Sequence, residues 1–174
     1  MIKIDKLSKK YDKDYVLKDL SCTIKDNSIY GLVGANGSGK STLLRTIMGI
    51  YDTDGGDITV DGSKVYDNDV IKQKMVFVQD DLYFNSNYTL MDTARYYESM
   101  YKDFDMNYLK ELANMLNLSL NKKISTFSKG MKRQCALICA ISTNADYMFF
   151  DETFDGLDPV SYTHLRAHET DSYL

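Results

Sequence analysis

At 174 residues, 44% hydrophobic and 26% charged, the chain has the makeup of one soluble, core-bearing domain with room for a small inserted subdomain. A net charge of −4 leaves no basic footprint for DNA or RNA, so a nucleic-acid ligand is not expected. Three cysteines, Cys22, Cys135 and Cys139, make no disulfide framework and point to a reducing compartment.

The N-terminus, Met1 to Lys6, alternates apolar and charged residues, which suits a strand and lacks the apolar core of a signal peptide. The cytosol is the compartment expected from this. Ile2–Leu7 and Leu17–Ile24 read as strands, with the polar stretch Lys9–Asp14 as a loop between them. Tyr11 stands in that loop as an aromatic that can either stack on a nucleotide base or pack on the strand pair.

Ser28-Ile29-Tyr30-Gly31-Leu32-Val33 has the character of a short buried strand. It leads into Gly34-Ala35-Asn36-Gly37-Ser38-Gly39-Lys40-Ser41, a complete G-x-x-x-x-G-K-[ST] phosphate-binding loop. A helix follows from Ser41 to Met48, stopped by Gly49. Glycines let the backbone wrap phosphate oxygens with its N–H groups turned inward, and the helix adds its positive end to the same anion. Lys40 then reaches the β- and γ-phosphates, Thr42 extends the loop's grip at the helix start, and the Ser41 hydroxyl is a ligand for Mg²⁺.

Asp54-Gly55-Gly56-Asp57 and Asp61-Gly62 are turn signals around Ile58-Thr59-Val60, a small antiparallel excursion. Met75–Val78 is a buried strand that delivers Gln79 to its carboxyl end, where ligands bind in open α/β sheets. From Thr89 the pattern turns helical. Thr89 can cap a helix carrying Leu90, Ala94, Tyr97 and Tyr101 on one side, and Asp105 another that buries Leu109, Leu112, Ala113 and Leu116. The pair reads as an inserted helical subdomain or as two crossover helices of one sheet.

Ser128 precedes an apolar helix ending near Ser142, and with Gly130 it can serve either as a simple helix cap or as part of a second anion site. Cys135 and Cys139 share one face of that helix as small core residues, and the run Cys135–Ile141 is far too short to cross a bilayer. Tyr147-Met148-Phe149-Phe150 is a buried strand ending in two carboxylates, Asp151 to bind the metal and Glu152 to orient or deprotonate the attacking water.

In this order and spacing the residues resemble the nucleotide-binding subunits of ATP-binding cassette (ABC) transporters. Tyr11 matches the aromatic that stacks on adenine, Gly34 to Ser41 the Walker A loop, and Gln79 the Q-loop. Phe127-Ser128-Lys129-Gly130-Met131 matches the signature motif, Phe149 to Glu152 the end of Walker B, and Asp155-Gly156-Leu157-Asp158 the D-loop. The resemblance implies an α/β P-loop NTPase core of ABC type over residues 1–159, with an N-terminal antiparallel β subdomain and an α-helical subdomain inserted at about 86–142. It implies ATP and Mg²⁺ as cofactors, Lys40, Gln79 and Glu152 in catalysis, and Ser41, Gln79 and Asp151 at the metal. It further implies a homodimer or heterodimer in which Ser128, Lys129, Gly130 and Met131 of one subunit close the ATP site of the other. The partner it implies is a separate membrane-spanning permease, which would hold the subunit on the inner face of the cell membrane.

Lys129 and Met131 depart from the usual L-S-G-G-Q signature, and the form F-S-K-G-M resembles subunits of ABC-2 type exporters, a lean towards export. Thr153 replaces the usual proline after the Walker B glutamate, a change expected to be tolerated. The family continues to a switch histidine, whereas His164 and His168 lie too close to Asp151 for that role. Residues 160–174 resemble one reading frame of a transposase-type sequencing adapter, so a non-native tail after Pro159 and an incomplete nucleotide-binding domain are expected. Such a fragment could bind nucleotide without turnover; a soluble, non-transport ABC ATPase is the third reading.

Overall fold

A computed structural model describes residues 1–151, which fall into two compact units, Met1–Met75 and a second beginning at Val76. Glu152, the Asp155 to Asp158 segment, His164, His168 and the tail from Val160 lie outside the described residues.

The first unit is built on a four-stranded sheet in the order β2-β1-β3-β4, from β1 (Ile2–Tyr11), β2 (Asp14–Ile24), β3 (Gly55–Val60) and β4 (Ser63–Lys64). β1 lies antiparallel to both β2 and β3, with Ile4 opposite Cys22 on one side and Ile58 on the other. Ile2, Ile4, Ile58 and Val60 are buried at alternate positions, as the alternation from Met1 to Lys6 implies for β1, and an irregularity in the ladder between Ile4 and Leu7 brings Leu7 to the buried face as well. The Asp61-Gly62 turn joins β3 to β4 with positive φ at both residues, the two-residue hairpin geometry that this dipeptide favours.

Two expectations fail in this unit. Lys9 to Tyr11 is strand, not loop, and the hairpin closes through only Asp12 and Lys13, with Tyr11 opposite Asp14. The lysines look like loop by composition, yet an ion pair from Lys9 to Asp54 at 3.0 Å and a backbone bond from Lys10 N–H to Asp54 at 2.8 Å secure this end of the strand. The second failure is Ser28 to Val33, which forms no regular element; Ile29 and Val33 are 96% and 94% exposed. A strand exists only as a member of a ladder, and neither outer strand of this sheet pairs with the run.

Helix α1 (Lys40–Ile47) starts at Gly39 and ends as Gly49 predicted: the Ile50 N–H reaches the Arg45 carbonyl at 2.9 Å and the Gly49 N–H that of Thr46 at 3.0 Å, a Schellman closure. A short helix α2 (Asp69–Lys72), capped by Asn68, precedes β5 (Met75–Val78).

In the second unit, α3 (Leu90–Met100), α4 (Met106–Met115) and α5 (Lys129–Ile141) share one apolar cluster containing Leu90, Ala94, Leu109, Leu112, Ile138 and Cys139. Leu116 packs at its margin. Thr89 caps α3 in a full capping box with Asp92, and Asp105 caps α4 by accepting from the Asn107 and Tyr108 N–H groups. Burial pushes the Cys135 thiol up to about 12 and Cys139 higher still, so both sit as inert core residues. Strand β6 (Tyr147–Phe150) pairs with β5. Among the described residues no helix is long and apolar enough to cross a membrane.

Candidate nucleotide site

In the first unit the loop Gly34 to Gly39 runs as an exposed turn into α1. Gly39 holds φ +91°, a backbone conformation that favours glycine, and a Cβ placed there would sit tightly against strand β2, 3.0 Å from Val16 Cγ1 and 3.2 Å from the Val16 carbonyl oxygen. At Gly34 a Cβ would lie 2.6 Å from Ser38 Oγ. The Ser38 N–H closes the turn on the Ala35 carbonyl at 3.1 Å, enclosing Asn36 and Gly37. Lys40 folds back over the loop, donating from Nζ to the carbonyls of Gly34 at 2.8 Å and Ala35 at 3.0 Å. An ammonium so placed stands where an anion cradled by the loop would meet it.

The start of α1 matches that use. Gly39 contributes no side-chain cap, and the first turn contains no acid. A helix leaves its first N–H groups without intrahelical acceptors, and here no side chain of the helix start occupies them, at Lys40, Ser41 and Thr42. The residues therefore fit a polyphosphate: a glycine-rich loop with positive φ at Gly37 and Gly39, a lysine over it, and open donors below.

Tyr11 is 46% exposed and stands perpendicular to Tyr51, ring centroids 6.2 Å apart. Tyr51 was not legible as a site residue. Hydrogen bonding from Tyr11, and then from Arg45, holds the Tyr51 hydroxyl below the ordinary phenol range. Arg45 belongs to α1, with Nη1 3.5 Å from the Tyr51 hydroxyl. Tyr11 is thus fastened, through Tyr51, to the helix that carries Lys40 and Ser41; its ring contact is with Tyr51 rather than with the strand pair, and part of it faces solvent.

In the second unit Gln79 is exposed at the end of β5, and Asp151 is buried, 6% exposed, at the end of β6. The Asp151 N–H donates to the Val78 carbonyl at 2.9 Å. The carboxyl ends of both strands thus lie side by side, and the residue before Gln79 is bonded to Asp151. These oxygen donors suit a hard cation, and among the described residues there is no cluster of three His, Cys, Asp or Glu to cage one. Mg²⁺ is a cation of that class.

Ser128 caps α5, its Oγ accepting from the Met131 N–H at 3.2 Å while the residue remains exposed. Lys129 is exposed at the first position of the helix, Gly130 and Met131 half-buried behind it. The first turn of α5 also lacks an acid.

Sequence reasoning missed one pair beside these residues. Arg133, only 5% exposed, donates from Nη2 to Asp80 Oδ1 at 2.8 Å. The signal was present: Arg133 falls in line with Ala136 and Ala140 on the buried face of α5, where a charge requires a partner.

Residues 17–155 match the family described as ABC transporter. The chain is 35% identical to the ABC transporter ATP-binding protein YtrB of Bacillus subtilis (strain 168), over 92% of this chain and 55% of that protein. It is 30% identical to the linearmycin resistance ATP-binding protein LnrL of the same organism, over 95% of this chain and 55% of the relative. It therefore spans about half the length of these curated relatives. Among solved structures, one described as the ATP binding subunit of an ABC transporter superposes with a TM-score of 0.89 at 26% identity, covering 98% of this chain and 73% of that one. The fold is an α/β P-loop NTPase fold of ABC type, its antiparallel sheet N-terminal to the helices of the second unit.

Proposed function

The chain belongs to the ABC transporter family, as one of its ATP-binding subunits, and from that premise we propose that the gene product binds MgATP and hydrolyses it to drive a separate membrane-spanning permease. The observation that carries the reading is the start of α1: a glycine-rich loop with positive φ at Gly37 and Gly39, open N–H groups, no acid, and Lys40 folded over the loop at 2.8 Å and 3.0 Å.

In this reading Tyr11 stacks on adenine, the Gly34 to Thr42 backbone and Lys40 Nζ hold the phosphates, and Ser41, Gln79 and Asp151 hold Mg²⁺. Bound Mg²⁺ supplies neutralisation of charge on the phosphate oxygens. Glu152 orients or deprotonates water. Ser128, Lys129, Gly130 and Met131 act on the ATP of a second subunit, identical or homologous, and Asp155 to Asp158 form the D-loop motif. The subunit works at the cytoplasmic face of the membrane, and the signature form F-S-K-G-M favours export. We also propose residues 1–159 as one nucleotide-binding domain with the helices at about 86–142 as its inserted part.

Two experiments on the full-length gene product test this. Glu152→Gln should retain ATP binding and lose phosphate release, since the amide keeps the shape and is no base; normal release removes Glu152 from the role of base. Mixing Lys40→Ala with Ser128→Arg subunits should restore partial activity, because one composite site per heterodimer is intact. Heterodimers as inactive as both parents would show that Ser128 serves its own subunit.

A further inference from the structure

Gln79 is a single residue between two anchors. On one side the Val78 carbonyl accepts the Asp151 N–H at 2.9 Å; on the other the Asp80 carboxylate receives the Arg133 guanidinium at 2.8 Å. The two anchors come from different elements, the end of β6 and the second turn of α5. Their burial differs too: the Arg133 side chain is 6% exposed and that of Asp80 52%. A guanidinium that far from water needs its counter-charge, whereas a half-exposed carboxylate could be solvated almost anywhere along its loop. The pair therefore constrains Asp80 more than it needs to be constrained for its own sake, and with it the residue next to it.

We propose that the Arg133–Asp80 ion pair is a positioning device for Gln79: it fixes the end of β5 so that the Gln79 amide meets the Mg²⁺–nucleotide at a set point, and it ties that point to the helix whose first residues are Ser128 and Lys129. The inference rests on the MgATP reading above and extends it to two residues, Arg133 and Asp80, to which that reading gives no part. Arg133 lies five positions beyond Ser128 on one rigid helix, so a displacement of Gln79 is transmitted to the start of α5 without an intervening loop. A clamp that served only to hold α5 on its core would behave differently. Its loss would lower the melting temperature and leave the metal requirement of nucleotide binding alone.

The test uses the full-length gene product and titration calorimetry with ATP, in excess EDTA and across a Mg²⁺ series, at a temperature where circular dichroism shows each variant folded. Asp80→Asn keeps the shape and removes the charge; Arg133→Met keeps the length and the apolar packing of the stem; Asp80→Glu keeps the charge. Asp80→Asn and Arg133→Met should each raise the Mg²⁺ concentration for half-maximal ATP binding by roughly tenfold, as loss of a group orienting a metal ligand does, with affinity in EDTA within about twofold of the parent. The double variant should be no worse than either single one, and Asp80→Glu should recover part of the loss. If Arg133→Met does not fold, the two Asp80 variants decide alone. An unchanged Mg²⁺ requirement in folded Asp80→Asn overturns the positioning role while leaving MgATP binding standing. A parent that binds no ATP with Mg²⁺ present overturns the underlying reading, and this inference with it.

Discussion

Helices α3 and α4 begin with their own negative charge; α1 and α5 begin with a lysine and none. Asp92 closes the capping box of α3 and Asp105 takes two N–H groups of α4, so both helix starts are electrostatically complete. At α1 and α5 the first helical residues are Lys40 and Lys129, with no acid in either first turn. A cation at a helix N-terminus is locally unfavourable by about 0.3–1 kcal/mol. Neither start gains stability from that choice; in the proposed reading both leave room for an outside anion. The two also differ from each other: Gly39 offers no cap at all, whereas Ser128 satisfies one donor and stays exposed. What the two starts share is therefore the missing first-turn acid and the leading lysine, not the absence of a cap.

The sharpest way to break the contrast is to remove the α1 lysine. Lys40→Ala should lower MgATP affinity on the order of a hundredfold, since charge-assisted bonds contribute about 1.5–3 kcal/mol each. Calorimetric titration measures it, and unchanged affinity would remove Lys40 from the site. A smaller effect comes from making α1 resemble α3. Thr42→Asp supplies the missing first-turn acid, so ATP affinity should drop roughly tenfold while the melting temperature holds or rises slightly. A variant that bound ATP as the parent does would mean that the open donors of α1 are not where phosphate sits. The converse change on the complete side is Thr89→Ala, which should cost about 1 kcal/mol of stability, read from denaturant unfolding, and leave ATP affinity alone.

How much of this the residues announced depends on how local the determinant is. Thr89, Asp105, Ser128 and Gly49 act within one turn of their own position, and each does in the structure what its spacing implied. The Walker A loop is a local motif for the same reason, Lys40 being bonded to the Gly34 and Ala35 carbonyls of the loop itself. Determinants distant in sequence were not. The turn between β1 and β2 was misjudged because the strand is secured by Asp54, 44 residues from Lys10. Ile29 to Val33 has the residues of a buried strand, and burial of that kind is conferred by neighbours, which a single segment cannot specify. Tyr51 was invisible because its role comes from meeting Tyr11 and Arg45, and Asp80 because its partner is 53 positions away.

The mildest prediction sets the two kinds of helix start apart by acid alone. The Thr89 hydroxyl and N–H both donate to one Asp92 oxygen, at 2.7 Å and 3.0 Å, and these bonds, the hydroxyl foremost, hold the carboxyl below its ordinary value of 3.8. A carboxyl whose pKa is lower folded than unfolded stabilises the fold in its ionised form. The contribution is complete above the ordinary value and fades as pH falls from there through the folded one, below which both states are protonated. Asp92→Asn, neutral throughout, should therefore be less stable than the parent at neutral pH, with the gap closing as pH drops below about 4. Asp54, lowered by the Lys10 N–H and then by Lys9, titrates in the same direction in the first unit and is present in both proteins, so it cancels from the difference. Unfolding curves for the two proteins from about pH 7 down to about pH 2.5 measure the gap. A difference that stays constant with pH would mean that the Asp92 charge contributes nothing to α3, and that the completeness of that helix start lies in the Thr89 hydroxyl alone.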